Sequence, residues 1–125
     1  MRFTEREMTE GLTGAAKLVA ARGKADKADE AWEKLSRFQR YQLLDSLGTQ
    51  VLATLVALPD VEVAIGTRPT FTDAQVTEAV ESTLGDVGRI KRKMQVAARV
   101  ALVRTVLQNV PPRQDPDALI IPDHL

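Results

Sequence analysis

Residues 3–12, FTEREMTEGL, return with conservative changes at residues 71–80 as FTDAQVTEAV, and the reading of this pair decides the fold. In the first copy Thr4 and Glu7 form a T-x-x-E capping box. The hydroxyl and the carboxylate each accept from a backbone N–H that the opening of a helix leaves without a partner. Phe3 and Met8 hold the two positions of a hydrophobic staple across the box. In the second copy Phe71, Thr72, Gln75 and Val76 take the same places. Both stretches are therefore helix starts. Capping does not demand the shared Thr-Glu at 9–10 and 77–78, nor that each copy leads through a more apolar helix to a proline, at Pro59 and Pro111. Duplication of a helical hairpin and convergence on good caps both account for that remainder.

Working outward from the first cap, Met8, Leu12, Ala15, Ala16 and Val19 follow helical spacing, which predicts a helix over 5–22 with Gly23 as its stop. Gly11 and Gly14 cost about 1 kcal/mol each relative to alanine inside a helix. They mark either close approach by a neighbouring backbone or tolerance on a solvent face. Asp26 is the expected cap of a short helix with Asp29 and Glu30 in its first turn, Lys34 in its last, and Ala28, Ala31, Trp32 and Leu35 along one side. Ser36 and Gln39 offer a further capping box, which predicts a break there; a continuous helix from Lys27 to Leu58 is the alternative.

The next helix, 37–58, keeps a polar strip of Gln39, Gln42, Asp45, Ser46, Thr49 and Gln50, then turns almost wholly apolar, so its second half is expected to be buried on most sides. Pro59 and Asp60 end it. The stretch VEVAIGTRPT at 61–70 alternates like a strand, but no second strand pattern exists to pair with it, and it reads as an extended linker. The echo then starts a helix over 73–84 closed by Gly85, and Asp86 can cap a last helix, 87–110. That helix carries two apolar stripes: Ile90, Met94, Ala97 and Ala101, and Val96, Val100, Val103 and Leu107. Two stripes imply two packing partners.

These elements predict an all-α fold, a compact bundle of four or five helices. The long apolar helices 37–58 and 87–110 form its centre, and the capped helices 5–22 and 73–84 cover them. Residues 1–110 read as one helical domain and 111–125 as an extended, proline-containing tail. Leu119, Ile120 and Ile121 are apolar enough that the tail is expected to dock, on its own bundle or on another subunit.

Composition excludes several chemistries. Seventeen basic residues balance seventeen acidic ones, so no global field favours nucleic acid or an anionic membrane. The absence of cysteine removes disulfides and thiolate catalysis and fits a reducing interior. The start MRFTEREM lacks the apolar run of a signal peptide, and VLATLVAL at 51–58 is too short to cross a bilayer, so a cytoplasmic address and no membrane partner are expected. The only histidine, His124, is penultimate and poor material for a metal site or a triad. Glu7, Glu10, Glu78 and Glu81 fall on the polar sides of capped helices, where carboxylates serve propensity and dipole. IGTRPT is not a phosphate-binding loop. No cofactor or metal is expected.

The sharpest local feature is RIKRK at 89–93, whose four cations crowd a helix N-terminus where the dipole disfavours positive charge. Glu78, Glu81 or Asp86 could compensate within the fold; a phosphate backbone is the functional alternative. A helix-turn-helix reading fails because Glu81, Asp86 and Lys91 fall where that motif needs small or apolar residues. The sequence therefore points to a non-enzymatic interaction or assembly module, a homodimer or larger, with Val96, Val100, Val103 and Leu107 as candidate interface. The alternative is a nucleic-acid-associated protein contacting phosphates through Arg89, Lys91, Arg92 and Lys93. An enzyme with carboxylate-based chemistry stands last.

Overall fold

Each of the three capping boxes closes. Thr4 Oγ1 accepts from Glu7 N at 3.0 Å while Glu7 Oε1 accepts from Thr4 N at 2.8 Å. Ser36 with Gln39, and Thr72 with Gln75, repeat the reciprocal pair at 2.8–3.1 Å. The computed structural model describes residues 1–85 and 87–114. Among these the elements are α1 (Glu5–Ala20), a 3₁₀ turn (Ala25–Lys27), α2 (Ala28–Glu33), α3 (Arg37–Ala57), α4 (Asp73–Thr83) and α5 (Arg89–Asn109). The break at Ser36 is real, the linker 61–70 holds no strand, and the fold is all-α.

Two helix ends differ from expectation. Asp26 does not cap α2: it sits inside the 3₁₀ turn, and the N-cap position falls to Lys27, which makes no side-chain capping bond. At the end of α1, Gly23 N bonds Leu18 O at 2.8 Å and Arg22 N bonds Val19 O at 3.0 Å, the paired bonds of a Schellman motif. The left-handed residue is thus Arg22 (φ 56°), with Gly23 (φ 86°) one place further on.

Named contacts set the topology. Met1 lies beside the end of α3, its amino group donating to Val56 O at 3.0 Å, so α1 leaves that end and runs antiparallel to α3. The hydroxyls of Thr54 and Thr83 meet at 3.1 Å, joining the last turns of α3 and α4. Arg104 holds the start of α4 through Phe71 O and Asp73, while Arg92 reaches Glu81 O at its other end, which makes α4 and α5 antiparallel. Glu7 pairs with Arg113 and Gly11 with Val106 and Val110, so α1 and α5 are antiparallel as well. The result is a bundle of α1, α3, α4 and α5 in which the last turn of α4 meets the last turn of α3, with the short α2 against α1. The N-termini of α3 and α5 lie at one end, called distal below. The chain enters and leaves at the other. Each half of the chain pairs a capped helix with a 21-residue antiparallel one, and only the first half inserts the 3₁₀ turn and α2.

Close approach explains the α1 glycines. A Cβ at Gly11 would stand 3.0 Å from Val106 O and 3.1 Å from the Val106 and Val110 side chains, and one at Gly14 would overlap Asn109. With both positions bare, the α1 and α5 backbones touch.

The core is Ala15, Val51, Leu55, Leu58, Phe71, Val76, Ala79, Val80, Val103, Val106 and Leu107. Every α3 and α5 contribution comes from a C-terminal half: no residue of α3 before Leu47, nor of α5 before Val103, is buried. Helix length is one cause. At about 1.5 Å per residue α3 and α5 are about 31 Å long, whereas α1 and α4 reach about 24 and 16 Å and cannot cover them. Even the packed half of α3 buries only one face: Leu52 and Val56 are exposed, which corrects the expectation of burial on most sides.

Candidate interaction surface

The two stripes of α5 have opposite fates. Val103 and Leu107 are buried in the chain's own core, and Val96 and Val100 pack partly buried against it. The candidate interface Val96, Val100, Val103 and Leu107 thus faces the chain's own core, on the side that α1 and α4 share with α5. Ile90 and Met94 on the other stripe are 79% and 69% exposed, and Ala97 and Ala101 beside them are exposed too. The surplus apolar face of α5 is thus Ile90, Met94, Ala97 and Ala101. Both stripes are apolar in sequence, and the one placed inward, Val96, Val100, Val103 and Leu107, has no alanine in it.

A second exposed seam lies on α3. Phe38, Tyr41, Asp45 and Leu52 are exposed along it, Gly48 between them is buried, and Val56 continues the line. Phe38, Tyr41 and Val56 are 66%, 65% and 70% exposed. Along its flank runs an open groove of about 460 Å³ lined by Leu12, Tyr41, Leu44, Asp45, Gly48, Thr49 and Leu52. Gly48 forms a floor, since a Cβ there would meet only Leu52, at 3.5 Å. The start of α3 is anchored by Arg40, whose Nε donates to Trp32 O at 3.1 Å and whose guanidinium lies 5.3 Å from the centre of the Trp32 ring.

The cation cluster divides. Arg92 reaches back to Glu81 O at 3.2 Å, spending its charge on a carbonyl at the end of α4, where helix carbonyls lack partners. Compensation within the fold was expected from carboxylates, and a carbonyl supplies it. Arg89, Lys91 and Lys93 are exposed and form no ion pair among the described residues. Gly88, not Asp86, holds the N-cap position of α5, without a side-chain cap; Asp86 lies outside the described residues, as does the apolar part of the tail.

Glu7 is the residue whose place the sequence concealed. It is 3% exposed, although its position in a capped first turn reads as a polar face. Arg113 donates to it twice, Nη2 to Oε1 at 2.9 Å and Nε to Oε2 at 3.2 Å. Burial pushes the Glu7 carboxyl up, but the hydrogen bonds from Arg113 and the Thr4 backbone, with the guanidinium charge, outweigh it and hold the group below its ordinary value. Arg113 N and O also pair with Thr67 O and Gly66 N, both at 2.8 Å, so the first residues of the tail are fastened to the linker and to α1. No local pattern could reveal a partner 106 residues away.

Among the described residues no cluster of three metal-ligating side chains exists, and no helix is long and apolar enough to cross a membrane. Glu10, Glu78 and Glu81 are exposed and do not converge on a shared pocket. No family model, curated protein or solved structure matches the chain.

Proposed function

We propose that the protein is a non-enzymatic helical interaction and assembly module that associates with copies of itself. The observation that carries this reading is the exposed α3 seam. Its exposed members are apolar apart from Asp45, and the open groove along its flank gives a second copy's side chains a place to enter. Two copies of α3 crossing antiparallel about a two-fold axis would bring the exposed Tyr41 and Leu52 of each against the same residues of the other, the reciprocal contact that an isologous interface requires. Aromatic anchors at Phe38 and Tyr41 suit such a surface, since large side chains with few rotors bury area at low entropic cost.

Sedimentation velocity across micromolar concentrations tests the reading. The wild type should sediment as a dimer or larger, and Leu52→Glu should lower the weight-average mass while leaving the helical circular dichroism unchanged, because Leu52 is outside the core. A wild type that stays monomeric throughout contradicts it. A second reading, contact with nucleic-acid phosphates, draws on the exposure of Arg89, Lys91 and Lys93. Arg92, engaged on Glu81 O, is the least free of that set.

A further inference from the structure

The outward stripe of α5 has a definite chemical character. Ile90, Met94, Ala97 and Ala101 follow each other at steps of four, three and four, the spacing of a seam that receives another chain segment. Lys91 and Lys93 stand on either side of Met94 along that seam, and Arg89 precedes them. An occupant that fits must be apolar in its middle and acidic at its edges. Ala97 and Ala101 leave the floor low enough for a backbone to lie on it.

The chain contains such a segment. Residues 115–123, DPDALIIPD, place Asp115 and Asp117 before, and Asp123 after, the apolar run Leu119–Ile121. Pro116 and Pro122 bar a continuous helix through it, so it can present an extended edge. Its starting point decides which copy it reaches. Arg113 is tied to Glu7, Gly66 and Thr67 at the end of the bundle opposite Ile90 and Met94. Leu119 lies five residues beyond Gln114, about 17 Å of fully extended chain. Met94 lies fifteen residues up α5 from Asn109, about 22 Å, with residues 110–114 still to be crossed. Leu119 therefore falls short of Met94 and Ile90 of its own copy. A second copy set beside the first has no such limit.

We propose that residues 115–123 of one copy dock on the α5 stripe of another, with Leu119–Ile121 against Ile90 and Met94 and the aspartates against Lys91 and Lys93. This rests on the reading of the protein as self-associating and supplies it with a second contact. Exchange of tails in both directions closes a dimer; exchange in one direction builds longer assemblies.

Charge reversal tests it on the full chain. Lys91→Glu with Lys93→Glu, and separately Asp115→Lys with Asp117→Lys, should each weaken self-association about tenfold in sedimentation equilibrium at low salt. All four substitutions together should restore it. So should an equimolar mixture of the two double variants, since each then offers the charge that the other has lost. The helical circular dichroism should be unchanged throughout, because Lys91 and Lys93 are exposed and none of the core residues named above is altered. Loss of association in both double variants without recovery on mixing overturns the proposal. So does a lysine pair whose reversal abolishes binding of a labelled oligothymidine but leaves self-association intact, which would make the stripe a phosphate site. Should Leu52→Glu dissociate the wild-type assembly while both double variants assemble normally, the α3 reading stands and this one falls; a monomeric wild type removes both.

Discussion

The two halves of the long helices are built from similar residues and placed in different surroundings. The C-terminal halves of α3 and α5 carry Leu55, Leu58, Val103, Val106 and Leu107 into a core closed by α1 and α4. The N-terminal halves carry Phe38, Tyr41, Ile90 and Met94 into solvent. What separates them is coverage. The antiparallel neighbours are shorter, so apolar surface that one half buries within the chain is left exposed by the other half. Hydrophobic side chains in water are ordinary one at a time; spaced at three and four residues along two helices they form surfaces.

The packed half should be the easier to break. Gly11→Val forces side-chain atoms into the space held by Val106 O and the Val110 side chain, and should cost about 3 kcal/mol or more in urea unfolding. A loss below 1 kcal/mol would mean that the α1–α5 crossing is looser than described. Next in size is Arg113→Ala, which leaves the Glu7 carboxylate buried without its partner. The expected loss is about 2–3 kcal/mol at neutral pH, less than for a wholly buried pair because Arg113 keeps some exposure. The carboxyl is held below its unfolded value, so the pair's contribution is complete above the ordinary carboxylate range and disappears as pH falls through the lowered folded value. Wild type and Arg113→Ala should therefore converge in stability in acid; a gap that stays constant with pH would dissociate Glu7 from the effect. The smallest prediction draws the contrast most narrowly, on a single helix. Val103→Ala should cost about 2 kcal/mol, whereas Met94→Ala should change the monomer's stability by less than about 0.5 kcal/mol. Equal losses would place both stripes of α5 in the core.

What the sequence disclosed and what it withheld follow from the range of the interactions. The boxes at Thr4, Ser36 and Thr72 were legible because a capping pair spans three residues, and all three formed as read. The bundle itself followed from helical periodicity, and of the two readings open for the glycine pair in α1 the structure shows close approach. The choice between the α5 stripes was only partly legible: both lines are apolar, although Val96, Val100, Val103 and Leu107 carry more apolar surface than Ile90, Met94, Ala97 and Ala101. Which faces inward depends on where α1 and α4 lie. Glu7 was hidden for the same reason: it reads as a capping carboxylate, and it is also one side of a buried ion pair with Arg113 near the other end of the described chain. The cap at Asp26 failed on a smaller scale, where a 3₁₀ turn took the residues that a longer α2 would have used.

The central claim is that the distal halves of α3 and α5 are surfaces awaiting a partner copy while the C-terminal halves are core. Amide hydrogen exchange followed over a concentration series tests it most directly, because it reports each half separately in the intact chain. Protection over 37–46 and 89–98 should rise steeply with protein concentration, while protection over 51–57 and 103–109 should be high and constant. Distal amides whose exchange is as slow as that of the core, and indifferent to concentration, would contradict the account.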